Sequence, residues 1–121
     1  MNLTGTKWDP TTVRCHAEAM TTVLLQIDFP SQGPWKEEMS QAYAGLARQI
    51  ADEPGLLWKI WTEDEAQGIA GGVYLFTDRT HAQDYLTRHE ARLAGFGVTD
   101  IRARILDVNF PLSAQTQAPV R

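Results

Sequence analysis

Two runs decide the reading: Leu56-Leu57-Trp58-Lys59-Ile60-Trp61-Thr62, and Gly71-Gly72 followed by Val73-Tyr74-Leu75-Phe76-Thr77. Both are short and rich in aromatic and β-branched residues, which is the mark of a strand. The acidic connector Glu63-Asp64-Glu65, leading through Gly68, separates them and carries no helical period. Two strands therefore follow one another in the middle of the chain.

Outward from this pair the pattern is symmetrical. Before it, Val23, Leu25, Ile27 and Phe29 alternate with Thr22, Leu24, Gln26 and Asp28, a period-2 strand ended by Pro30. Pro34 then opens a helix whose stripe is Trp35, Met39, Ala42/Tyr43, Leu46 and Ile50, ending before Pro54-Gly55. After it, Asp78 or Thr80 caps a second helix with the inward stripe Ala82, Tyr85, Leu86, His89 and Leu93. Gly95 and Gly97 end that helix, and a last strand is expected over about 98–108. The order β-α-β-β-α-β predicts an α+β fold of ferredoxin-like type, an antiparallel sheet with two helices on one face. Residues 1–19 are polar and aperiodic and are expected to form a loosely ordered extension. The domain is expected over 20–113 and a polar tail over 114–121.

At 121 residues the chain suits one domain. A net charge of −4 argues against an electrostatic nucleic-acid binder. No apolar run reaches membrane-spanning length, and no secretory h-region opens the sequence. One cysteine, Cys15, excludes an internal disulfide and a cysteine-based zinc cluster. The expected compartment is the cytoplasm, with no nucleic-acid or membrane partner.

Two helices cover only one face of four strands, yet both strand faces carry large apolar groups. The alternation sorts them into Val23, Leu25, Ile27, Trp58, Ile60, Val73 and Leu75 on one side. On the other it places Leu24, Leu57, Trp61, Tyr74, Phe76, Leu106 and Val108. Either set can face the helices. At about 1.5–3 kcal/mol per buried side chain, the uncovered set calls for a second copy, so a homodimer is expected.

No dinucleotide, P-loop, nucleophile-elbow or metalloprotease motif occurs. His81 and His89 stand about 80° apart on a helix, too splayed for a metal pair, so no dedicated metal site is expected. His89, on the inward stripe, is a core histidine, a candidate base or an axial ligand to a bound haem, and its ordinary pKa suits proton transfer. Trp58, Trp61, Tyr74, Phe76, Tyr85 and Phe96 form core, or the wall of a cavity for a flat aromatic ligand. Lys59, Arg102 and Arg104 are read as outward-facing cations, and the Gly71-Gly72 pair as a bulge or close backbone contact.

The run 53–63, then 71–78, Tyr85-Leu86 with His89 and Ala91-Arg92-Leu93, and finally Asp107-Val108-Asn109 and Pro111-Leu112-Ser113, resemble the YdhR-like putative mono-oxygenase family of the dimeric α+β barrel superfamily. The resemblance spans about 20–117. It implies a homodimer whose sheets pack into a barrel, and kinship with cofactor-independent oxygenases that oxidise anthrone-like phenols to quinones. On that analogy His89 is the candidate base, Trp61 and Tyr74 candidate donors, and Trp58, Phe76 and Tyr85 candidate substrate contacts. Haem-degrading relatives are similar but place a Trp near Phe76 and an Asn on the first strand, where this chain has Gln26. The readings to separate are a mono-oxygenase acting on a small aromatic molecule, a non-enzymatic dimeric module for a small hydrophobic ligand, and a haem-binding protein.

Overall fold

The computed structural model describes residues 21–120. The expected extension over 1–19, with Cys15-His16, lies outside the described residues. The elements run β1 (Val23–Pro30), α1 (Lys36–Ala42), α2 (Ala44–Ala51), β2 (Leu56–Asp64), β3 (Ile69–Phe76), α3 (Arg79–Gly95), β4 (Arg102–Asp107) and α4 (Phe110–Gln115). One sheet of order β2-β3-β1-β4 joins all four strands antiparallel. This is the α+β, ferredoxin-like order read from the sequence. No helix among the described residues is long and apolar enough to cross a membrane.

Register decides which side chains share a face. Leu25 pairs with Tyr74 and with Ile105, and Val23 pairs with Phe76. Val23, Leu25 and Ile27 thus stand with Tyr74 and Phe76, not with Trp58, Ile60, Val73 and Leu75 as the alternation suggested. Period 2 fixes parity within a strand but says nothing about how strands are aligned. A bulge between Leu56 and Trp58 adds a further slip. It sends Leu56 toward the core and leaves Leu57 40% exposed.

The core lies between this face and the helices. Val23, Leu25, Ile50, Phe76, Ala82 and Tyr85 are all at most 2% exposed. Asp78 caps α3 by accepting from the His81 N–H at 2.9 Å. Gly97, at φ +87°, turns the chain beyond the end of α3. The expected first helix is two, broken at Tyr43, whose φ of −107° leaves the helical range.

The C-terminal residues differ from the expected tail. Asn109 caps α4 through the Leu112 N–H at 3.1 Å, and the Pro119 carbonyl accepts from Trp58 Nε1 at 2.7 Å. That bond brings residues 119–120 onto the sheet face away from the helices, and Val120 is buried. A helix of six residues is too short to show a period in sequence. The same open face still leaves Ile60 56% and Leu106 40% exposed.

Candidate active site

The helix layer does not close over the whole sheet. Core side chains fill one end, around Val23, Phe76 and Ala82. At the other end a cavity of about 710 Å³ opens between β1–β3 and the helices. Met39, Tyr43 and Leu46 wall it from α1 and α2, and Ile27, Phe29 and Ala70 from the sheet. His89, Arg92 and Leu93 enter from α3, and Phe96 and Gly97 from the loop beyond it.

Three expected site residues, Trp61, Tyr74 and His89, line this one cavity. Three others do not. Trp58 has the opposite parity to Trp61, so it lies on the open face and binds the Pro119 carbonyl instead. Phe76 sits deeper, sealed in the core at 0% exposure. Tyr85 lies behind the lining, its hydroxyl donating to that of Tyr74 at 3.1 Å while its ring stacks on His89 at 5.0 Å. Gln26 is exposed on the open face. The acidic connector does not line the cavity either, because Glu63 accepts from the Lys36 N–H and Glu65 pairs with the Lys36 ammonium at 3.3 Å.

His89 is 4% exposed. Its Nδ1 accepts from Arg92 Nε at 3.2 Å and Nη2 at 3.0 Å. A guanidinium only donates, so the neutral ring carries its proton on Nε2. Burial, then the charges of Arg92 and Lys59, lower the His89 pKa to about 3. The expectation of a histidine base therefore changes: near neutral pH this ring is a fixed Nε2–H donor. Tyr74 is also held as a donor, since burial raises its pKa well above the ordinary phenol value. The two phenol hydroxyls, Tyr74 and Tyr85, are hydrogen-bonded to each other.

The residue the sequence reading missed is Lys59. Alternation reads it as outward, yet it shares the parity of Trp61 and pairs with Tyr74 across the sheet, on the face toward the helices. Its Nζ lies 3.3 Å from the Trp61 ring centroid and 4.7 Å from that of Tyr74. Gly72 makes the room: a Cβ there stands 2.7 Å from Lys59 Cε and 3.4 Å from the Tyr74 ring. The signal was present in the parity of 59 and 61 and in the glycine pair. Gly71 has a different reason, because a Cβ on it meets the Ile27 backbone. Burial, then the Arg92 charge, lower Lys59 to about 7, while the two ring faces favour its ammonium form. No carboxylate lines the cavity among the described residues.

The site thus joins apolar and aromatic walls to two fixed donors, a guanidinium and an amine poised near neutrality. Among the described residues, no three His, Cys, Asp or Glu side chains converge as a metal ligand set. Comparison with known proteins finds one family model, described as "Putative mono-oxygenase ydhR", matching residues 24–119. No curated protein matches the chain.

Proposed function

Because the chain belongs to the ydhR putative mono-oxygenase family, we propose that it is a cofactor-independent mono-oxygenase acting on a small aromatic, quinol-like substrate in this cavity. The observation that carries the reading is the meeting of His89, Tyr74 and Arg92 in one pocket with aromatic walls.

An anthrone-type substrate has a methylene flanked by two aromatic rings. Loss of one proton leaves a carbanion, which passes electrons to O₂ and forms a C–O bond. The resulting peroxide takes up a proton, and loss of water gives the quinone carbonyl. One oxygen atom enters the product and the other leaves as water. The methylene carbon supplies all four electrons, so no external reductant is required. The Tyr74 O–H and the His89 Nε2–H are suited to stabilise the developing peroxide, in a pocket that limits competing water.

The protein works as a homodimer in this proposal, with the apolar remainder of the open face, including Ile60 and Leu106, covered by a second copy. The rival reading is a ligand-binding module without chemistry. Oxygen uptake with anthrone in chelator-treated buffer separates the two. Uptake above the buffer rate is expected, falling by roughly 10²-fold in His89→Ala and in Tyr74→Phe as each donor is lost. Uptake at the buffer rate, with anthrone bound, supports the module instead.

A further inference from the structure

Lys59 has a setting that the oxygenase reading leaves unused. Its amine is turned inward and laid between two ring faces through the gap at Gly72. The charged and titratable groups around it are Arg92 and His89 from α3, Tyr74 from β3, and Tyr43 at the α1–α2 junction. Neither Lys59 nor Arg92 has an ion-pair partner among the described residues, and the lining offers no carboxylate. Arg88 is held by Glu53 and Arg79 by Asp107, whereas among the described residues no carboxylate is within reach in this cavity. A cavity that joins an unpaired guanidinium and an unpaired amine to aromatic walls is complementary to an aromatic anion.

We propose that the cavity takes acidic phenols and enols and holds them as their anions, with Lys59 as the base that removes the proton. This rests on the oxygenase reading for its catalytic meaning, although the binding chemistry stands apart from it. In the step, the substrate O–H bond breaks and its electron pair stays on oxygen. A new N–H bond forms on Nζ, and the phenolate faces the Lys59 ammonium and the Arg92 guanidinium. Burial, and then the Arg92 charge, keep Lys59 near neutrality in the empty site, and an arriving anion favours its ammonium form. His89 does not compete for the proton, since its Nδ1 is held by Arg92.

The test uses 2-naphthol, which this site has no need to oxidise in order to bind. At about pH 8, between the about 7 of Lys59 and the ~10 of an ordinary phenol, the free probe is protonated and the free amine is present. Wild type is expected to turn bound probe into naphtholate, seen by its absorbance, with no net proton released to a pH indicator. Lys59→Arg keeps the charge but accepts no proton, so naphtholate formed there releases one proton per molecule bound. Lys59→Met, of similar size, is expected to lose the naphtholate signal by at least about tenfold. The proposal is overturned if wild type binds the probe as the neutral naphthol, releases a proton for each one bound, fails to bind it, or is matched by Lys59→Met. A naphtholate signal without anthrone-dependent oxygen uptake sinks the oxygenase reading alone and leaves this anion site standing.

Discussion

A half-buried amine without a carboxylate is costly to keep charged, and Lys59 shows the sign of that cost. The unfolded chain holds this proton up to about 10.5, whereas the fold releases it near 7. Across that window the unfolded state binds more protons, so this residue makes stability rise with pH. Its penalty is complete below about 7 and relieved toward 10.5. Lys59→Met should therefore gain most over wild type in urea unfolding near pH 6 and least near pH 10, by virtue of the missing titration. A constant difference between the two proteins across that range contradicts the buried placement. Gly72 is the companion residue. Gly72→Ala forces a methyl into the space of Lys59 Cε, now 2.7 Å away. Turning that flexible side chain aside should cost little stability, while the naphtholate signal is abolished and the far end of the core stays intact. An unchanged signal in that variant would mean the lysine runs elsewhere.

Among the elements, α3 carries most of the site, and its position depends on few fixed points. Asp78 caps its start, and Arg88 makes a bidentate pair with Glu53 at 2.9 and 3.0 Å, tying its middle to the turn before β2. The guanidinium is half exposed, so Arg88→Ala should lower stability by only about 0.5–1 kcal/mol in urea unfolding. A loss several times larger would mean that α3 is seated mainly by this pair. The elements were also where the sequence was most and least legible. Alternation at Val23–Phe29 and the inward stripe Ala82-Tyr85-Leu86-His89-Leu93 announced a strand and a helix in the right order. The break at Tyr43 and the bulge at Leu57 left no mark, since each is one residue in a periodic run. The facing of β2 was hidden for a different reason. Alternation alone leaves open which face turns inward, and only the register of Lys59 opposite Tyr74 puts it inside. Helix α4 is too short to show a period, and the docking of residues 119–120 rests on a long-range bond to Trp58 that no local pattern encodes.

On the scale of the whole molecule, the sheet has one face filled by helices and another only partly covered by its own C-terminal residues. Ile60 and Leu106 remain exposed there, on the outer strands β2 and β4. Covering such side chains contributes about 1.5–3 kcal/mol each. Sedimentation at micromolar concentration should return twice the 13.5 kDa chain mass for wild type. The double variant Ile60→Asp, Leu106→Asp should shift toward the single chain. Dimers unaffected by both changes would place the contact on another surface.

Whether this pocket lets a reduced aromatic give its own electrons to oxygen is read from turnover of anthrone under isotopically heavy O₂ in chelator-treated buffer, with the product followed by mass spectrometry. One heavy atom is expected in the new quinone carbonyl and the other in water. Quinone formed without heavy oxygen, or no quinone above the rate in buffer alone, would contradict the oxygenase reading.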